Sequence, residues 1–467
     1  MSELNEGQQV AFNGLMASPQ GTWSMIDSPA GYGKTFTVSK VLKQFQWQNC
    51  KILGCAPTHQ AVQIMKKFAQ ENGLHKAEIT TIDSALALRP SRNSRGSKES
   101  SDVGSGKIGK FDIIWIDEAS MIDNFKWLKI KEKVNRNSSL IFTCDRAQFA
   151  PVSAKNPMLF SPVITAIDDE NQYTLTQPMR TQGYVFSQVN EIRNKVLESI
   201  EAYQEIVRTG SNETLPMPTK IPVIESASDF CFVRNDETVL KALLVKALAS
   251  GKTANIIAYR NDTVAKYNHE IRYMVKGADA PEFMADDELI TKTAISYGDD
   301  MIPTRSKLRV ISADKITKET YFGKELVTLT RWELSVEVDG KIYDLCPVAK
   351  EDFDMAVYYI DSLHKTLLTG NAFISAHDFG ELCNSLCIDD TDNHERGNKS
   401  YKPILSYGYA ITAHQSQGST YDCSIVHMKD LKTILYKGTD KNLRVVDYWR
   451  SVYVAASRTS KVLYLHV

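Results

Sequence analysis

The segment that most narrows what this chain can fold into is MIDSPAGYGKTFTV, residues 25–38. It reads as the end of a short apolar strand, a turn carrying Gly31 and Gly33, and a helix opening on Lys34 and Thr35. Such a strand–turn–helix surrounds an anion with backbone N–H groups and the positive end of a helix, while lysine supplies charge. The pattern G-x-x-x-x-G-K-[ST] here has Ser28 in its first glycine position. That glycine mainly eases the turn out of the strand. Ser28 is small, and Pro29 behind it already biases it to an extended backbone. The loop therefore stays a phosphate cradle built from Pro29, Ala30, Gly31, Tyr32, Gly33, Lys34, Thr35 and Phe36. Lys34 is aimed at the β- and γ-phosphates and the Thr35 hydroxyl at Mg²⁺.

A lone G-K-T is weak, and the next element strengthens it. IIWIDE (113–118) is an apolar strand that ends in two adjacent carboxylates. Asp117 at the strand end can hold the magnesium water shell, and Glu118 can polarise an attacking water as general base. Surface carboxylates would explain either residue alone. The two elements together, in this order, predict a nucleoside triphosphatase that uses ATP and Mg²⁺.

Strands and helices alternate around both elements. WSMID (23–27), KILGCAP (51–57), FDIIWIDEAS (111–120) and SLIFTCD (139–145) are apolar runs too continuous for a half-solvated sheet. Between them Val38, Val41, Leu42 and Phe45 share one helical face, and HQAVQIMKKFAQENG (59–73) is a helix with a glycine stop. The fold class is α/β with parallel sheets. Residues 91–110, SRNSRGSKESSDVGSGKIGK, hold little that could build a core and are expected to form a mobile excursion.

A second set of apolar strands follows: NIIAYR (255–260), PILSYGYAIT (403–412), CSIVHM (423–428) and VLYLHV (462–467). Short β-rich runs with turn residues fill 300–350, and EDFDMAVYYIDSLHKTLL (351–368) reads as a helix. A chain of 467 residues is too long for one core. The expected division is a first α/β domain over 1–85 and 111–180 with an insertion at 86–110. A second α/β domain over 181–282 and 403–467 is interrupted by a β-rich insertion at 283–402.

The 43% of apolar residues is that of a soluble globular protein, and no apolar run is long enough to span a membrane. The polar, acidic MSELNEGQQV is not a secretory signal, so the cytoplasm is expected. A net charge of −1 argues against coating nucleic acid by bulk charge and leaves local basic grooves open. The eight cysteines include no C-x-x-C pair and fit reduced thiols. Cys383 and Cys387 with His377 and His394 match no common zinc spacing.

Further short runs complete a known set. LNEGQQVAFNGL (4–15), APTHQAV (56–62), TTIDSAL (80–86), TCDRAQFAPV (143–152), LTQPMRT (175–181), AITAHQSQGSTYD (410–422) and YVAASRTS (453–460) stand in the order of helicase motifs. With them the chain resembles superfamily 1 DNA helicases of the RecD-like, 5′→3′ branch, most nearly the Dda type of bacteriophages. The likeness spans both α/β halves and much of the insertion, and the third, fifth and sixth motifs carry its specificity. It implies two RecA-like P-loop domains, a strand-separating pin at 86–110 and an SH3-like 283–402 with a helical extension.

The resemblance also implies roles. Gln8 would read the adenine edge, and Gln148 would sense the γ-phosphate. Arg180 and Arg458 would stabilise transition-state charge, with Gln417 and Gly418 beside the nucleotide. Single-stranded DNA would cross Pro57, Thr58, His59 and Thr81 on one half and Thr412 and His414 on the other. Short hydroxyls suit phosphates, and imidazole stacks on bases without reading them; capping of the following helices is the competing use of the same threonines. The implied function is an ATP-dependent 5′→3′ helicase that unwinds forked duplex, in phage-type replication or recombination. It would act as a monomer in the host cytoplasm, beside replication or recombination proteins such as a single-strand-binding protein. The alternative is a DNA-stimulated ATPase that moves or switches without strong unwinding, or a binding module with a dead nucleotide site.

Some positions depart from that set. Gln415 stands where lysine is common, Cys144 where glycine is, and Asp83 where histidine is; a carboxylate there repels phosphate. No aromatic residue lies in 86–110 to wedge a fork. Trp332 and Tyr321 could grip DNA, with core packing the more ordinary use of each.

Overall fold

The structure, a computed structural model, describes residues 4–92, 98–151, 158–179, 183–218, 230–233, 236–298, 300–369, 374–393, 398–438 and 440–467. They fall into two compact units. The first comprises residues up to 88, 103–267 and 410–467; the second comprises 89–102 and 268–409.

The first unit starts with α1 (Glu6–Ala17), capped reciprocally by Asn5 and Gln8. Then come β1 (Trp23–Asp27), α2 (Lys34–Trp47), β2 (Ile52–Ala56), α3 (His59–Glu71), β3 (Glu78–Thr81) and the single turn α4 (Ile82–Ala85). A strand pair, β4 (Leu88–Arg92) and β5 (Lys98–Asp102), precedes β6 (Ile113–Ile116), α5 (Asn124–Lys133), β7 (Ser139–Cys144), α6 (Pro162–Ala166) and β8 (Gln172–Thr174). Six of these strands form one parallel sheet in the order β3-β2-β6-β7-β1-β8.

Alternation along each strand explains the continuous apolar runs. Met25, Leu53, Cys55, Ile114, Ile116, Leu140 and Phe142 enter one core. Their chain neighbours Ile26, Ile52, Ile113, Trp115 and Ile141 enter another on the opposite face. Both faces are covered, as a parallel sheet requires. Because the strands run one way, the loops after β1, β6 and β7 leave from the same edge.

Part of the serine-rich stretch belongs to this core. Ile108 is fully buried within it, and Lys107 N–H donates to Ala85 O at 2.9 Å. The expected excursion is thus narrower than 91–110, with β4 and β5 paired as a hairpin. One aliphatic side chain sufficed to anchor a segment whose composition argued for none.

The chain continues through α7 (Tyr184–Thr209), β9 (Phe230–Val233), α8 (Glu237–Ala249), β10 (Ala254–Ala258) and α9 (Asn261–Lys276). The second unit then supplies β11 (Glu288–Thr291), β12 (Ile295–Tyr297), β13 (Asp300–Ile302), β14 (Lys307–Phe322), β15 (Glu325–Val338), β16 (Lys341–Leu345), α10 (Phe353–Leu368), α11 (Ala376–Ser385), β17 (Ile388–Asn393), β18 (Asn398–Pro403) and β19 (Leu405–Tyr407). Its main sheet has the order β16-β15-β14-β11-β19 and is antiparallel throughout. Trp332 is buried there and donates Nε1–H to Glu282 at 3.0 Å, a core role. Tyr321, beside the β14–β15 turn, is 66% exposed, so core packing does not apply to it.

The last segment returns to the first unit as β20 (Ala410–Thr412), α12 (Ala413–Ser416), β21 (Tyr421–His427), α13 (Met428–Leu431), α14 (Lys441–Ala456) and β22 (Thr459–His466). A second parallel sheet results, in the order β20-β10-β21-β22-β9. PILSYGYAIT is therefore two strands rather than one: β19 joins the antiparallel sheet, and β20 joins the parallel one. The α/β class with two parallel sheets and a β-rich insertion holds. No helix among the described residues is long and apolar enough to cross a membrane.

Candidate nucleotide and nucleic-acid site

The loop after β1 has the backbone of an anion cradle. Gly31 and Gly33 sit at φ +87° and +85°, where a side chain is strained. A Cβ on Gly33 would also lie 2.4 Å from Gln8 Nε2 and 2.9 Å from Met179 Cγ. Lys34 opens α2 and donates from Nζ to the carbonyls of Ser28 and, at 3.1 Å, Pro29. Thr35 follows, half-buried in the first helical turn.

Ser28 has a use of its own. It is fully buried, and its hydroxyl accepts from Leu175 N–H at 2.8 Å, while its own N–H donates to Cys144 O at 3.1 Å. A glycine could make only the second bond. The hydroxyl pins the loop to the chain just after β8.

The carboxylate pair closes the other side. Asp117 Oδ1 accepts from Thr143 Oγ1 at 2.5 Å and from Glu118 N–H at 3.0 Å, and Trp115 Nε1–H donates to the same Thr143 hydroxyl at 3.0 Å. Thr143 thus fixes the carboxylate's orientation and leaves Oδ2 for a cation. Glu118 adopts φ +52°, a left-handed conformation that costs a non-glycine residue of order 1–3 kcal/mol and is typical of strained functional positions. Burial and the neighbouring Asp117 push its carboxyl up, while Arg458 and Lys34 pull it back. Two cations from different sheets act on one carboxyl group. Thr35 and Asp117 offer hard oxygen donors suited to Mg²⁺.

The segment after β7 meets the second sheet. Gln417 Nε2 donates to Gln148 Oε1 at 3.0 Å, both side chains buried. Asp145, fully buried, accepts from Tyr453 Oη at 2.5 Å and from Arg193 at 3.3 Å. Arg450 NH2 donates to Leu159 O at 2.6 Å, and Ser419 Oγ donates to Gln60 Oε1 at 3.1 Å. Arg458 is 5% exposed and anchored by Nε to Val454 O at 3.0 Å and by NH2 to Ser457 Oγ at 2.8 Å. Sequence reasoning missed Tyr453, Arg193 and Arg450. Tyr453 lay inside a quoted motif; the other two had no pattern around them.

Gln8 is buried; its amide oxygen accepts from Asn5 N–H at 3.0 Å and its Nε2 donates to Tyr32 O at 3.4 Å. An adenine edge would have to exchange with these bonds. Tyr32 packs on Phe186, and Phe36 lies under Lys40 Nζ at 4.9 Å. Arg180 lies outside the described residues.

All three candidate DNA-contact threonines cap helices. Thr58 accepts from Ala61 N–H at 3.2 Å, Thr81 from Ser84 N–H at 3.1 Å, and Thr412 from Gln415 N–H at 3.2 Å. Capping uses a lone pair and leaves the hydroxyl proton for a phosphate oxygen. Gln415 returns a bond from Thr412 N–H at 3.1 Å, which accounts for an amide where lysine is common. Asp83 pairs with Lys126 at 2.7 Å. His414 stacks on Phe149, ring centroids 3.9 Å apart and 10° from parallel. Pro57 and His59 flank Thr58 in the turn from β2 to α3, both half-buried. Gly418, at φ +82°, sits close enough to Thr58 that a Cβ would lie 3.9 Å from its Oγ1.

The chain is 23% identical over 481 residues to the uncharacterized protein R530 of Acanthamoeba polyphaga mimivirus, covering 93% of each. Among solved structures it is similar to Pif1 helicase from Candida albicans, at 13% identity and a TM-score of 0.45, over 100% of this chain and 94% of that one. It is also similar to Pif1 helicase from Bacteroides in complex with ADP-AlF3 and single-stranded DNA, at 14% identity and a TM-score of 0.43, over 99% and 92%. Residues 3–206 match the profile of the AAA domain. That match, with the cradle at Lys34 and the Asp117–Glu118 pair beside it, marks the chain as an ATP-hydrolysing enzyme.

Proposed function

We propose that this protein is an ATP-driven DNA helicase of superfamily 1, moving 5′→3′ on single-stranded DNA. The observation that supports the reading is that the segments after β7 and β20 meet beside the phosphate loop, where Gln417 Nε2 donates to Gln148 Oε1 at 3.0 Å and Arg458 lies buried. ATP held there would touch both halves at once. Lys34 and the loop N–H groups would bind the phosphates, Thr35 and Asp117 would hold Mg²⁺, and Glu118 would take a proton from the attacking water. Mg²⁺ held there would supply charge neutralisation to the phosphates. Arg458, with Arg180, stabilises charge that develops on the γ-phosphoryl group. Loss of that group removes the link between the halves and lets them part. Gln148, bonded to Gln417, would report the γ-phosphate to the second half.

DNA would lie across Pro57, Thr58, His59, Thr81, Thr412 and His414, through phosphate contacts and stacking, with little sequence preference and strong dependence on salt. Opening duplex costs on the order of 1.4 kcal/mol per base-pair step, so the β4–β5 hairpin would have to block the second strand. Its sequence lacks an aromatic wedge, which favours a second reading: a DNA-stimulated translocase with weak unwinding. Forked duplexes with a 5′ or a 3′ tail, each with ATP and with a non-hydrolysable analogue, separate the two. Strand separation only with the 5′ tail and only with ATP supports the helicase. DNA-stimulated hydrolysis without separation supports the translocase, and hydrolysis indifferent to DNA overturns both.

A further inference from the structure

Beside the stacked Phe149–His414 pair lies a cavity of about 200 Å³ that no step above uses. Phe149, Pro151, Tyr259, His414, Asp447 and Ser451 line it. Its walls come from both parallel sheets: Phe149 and Pro151 follow β7, Tyr259 follows β10, His414 stands in α12, and Asp447 and Ser451 are one turn apart on α14. Most of the lining is aromatic or aliphatic, the usual make-up of a site for a flat ligand with a few polar edges. The Tyr259 ring lies 6.4 Å from that of His414, and Lys437 Nζ stands 4.8 Å from the Tyr259 centroid.

Among the described residues, Asp447 is the one carboxylate in this lining. The buried Arg450 guanidinium approaches it only to 4.0 Å, and Ser451 Oγ donates to the Asp447 carbonyl rather than to its side chain. Partial burial pushes the carboxyl up to about 6, with Arg450 opposing, while the side chain stays 46% exposed to water, which favours its ionised form. On a surface that takes phosphates such a group is repulsive. It is attractive to a ligand that brings N–H donors.

We propose that this cavity takes one base turned out of the bound strand, and that Asp447 makes it favour bases that offer an amine. The inference rests on the single-strand reading and adds a base preference to it. An ionised carboxylate only accepts hydrogen bonds. Cytosine presents its N4 amine and adenine its N6 amine; guanine presents N1–H and its N2 amine side by side. Thymine offers a single N3–H between two carbonyl oxygens that the carboxylate repels. The base would stack on the His414–Phe149 pair, and exposed Lys437 at the rim would meet its phosphate.

The test is equilibrium binding of the full chain to dC and dT oligonucleotides of equal length, followed by fluorescence anisotropy. Wild type is expected to hold the dC strand at least about fivefold tighter, the lower end of what one good base contact discriminates. Asp447→Ala should bring the ratio of the two affinities to about one. Asp447→Asn, whose amide can donate to a thymine carbonyl, should move it towards dT. Equal affinities in wild type, or a ratio unchanged in Asp447→Ala, overturn the base pocket and leave the single-strand reading intact. Failure to bind either strand overturns both.

Discussion

Gln417 Nε2 donates to Gln148 Oε1 at 3.0 Å, and through this bond two parallel sheets share a buried amide pair. Each side chain is almost wholly excluded from water, at 2% and 3% exposure. Removing one partner leaves the other without a bond, a cost of about 1–3 kcal/mol. Gln148→Ala is therefore expected to lower kcat for DNA-stimulated ATP hydrolysis by roughly tenfold or more, as about 1.4 kcal/mol in the barrier implies. Steady-state kinetics with saturating single-stranded DNA checks it.

Ser28 departs from the commonest loop pattern, and restoring that pattern should do harm. Ser28→Gly removes the acceptor of Leu175 N–H, so unfolding in urea should show a loss of about 1–2 kcal/mol. An unchanged midpoint would mean that the hydroxyl is dispensable.

Glu118 and Lys34 act at different steps. Glu118→Gln keeps the shape of the site and removes the base, so hydrolysis should fall by roughly 10²–10⁴-fold. Nucleotide binding, followed with a fluorescent ATP analogue, should persist in Glu118→Gln and weaken in Lys34→Ala.

His427 and His466 face each other in the second parallel sheet, ring centroids 4.8 Å apart. His427 Nδ1 accepts from Asp430 N–H at 3.2 Å, which fits a neutral ring. Burial lowers both imidazoles; His466 adds to the lowering at His427, with Asp430 and Glu237 opposing, and Lys429 adds to it at His466, with Glu237 and Asp236 opposing. The folded state thus binds protons less readily than the unfolded chain, whose histidines titrate near 6.5. Stability from this pair is present above that value and declines as pH falls below it. Thermal unfolding between pH 7.5 and 5 should show the decline, and His466→Phe should flatten it.

The parallel strands were legible in the sequence because both faces of each sheet are covered, which writes continuous apolar runs such as IIWI and LIFTC. The phosphate loop and Asp117–Glu118 were legible because strand, turn and helix fix their spacing locally. Contacts between distant segments were not. The Ser28–Leu175 bond spans 147 residues and the Tyr453–Asp145 bond 308, and no local period encodes either. The division of PILSYGYAIT between two sheets was hidden for a related reason: Gly408 and Tyr409 interrupt an apolar run without changing its composition. Ile108 shows the same limit from the other side, as a single buried residue in a polar stretch.

The convergence of Arg458 and Lys34 on one nucleotide is tested most directly by comparing ATP hydrolysis of the wild type and Arg458→Ala, with and without single-stranded DNA. An arginine that stabilises the transition state contributes about 10³–10⁵ in rate. Arg458→Ala should therefore lose at least about a thousandfold in DNA-stimulated kcat while still binding ATP. Hydrolysis by Arg458→Ala at the wild-type rate would place that arginine outside the reaction and contradict a nucleotide shared by the two sheets.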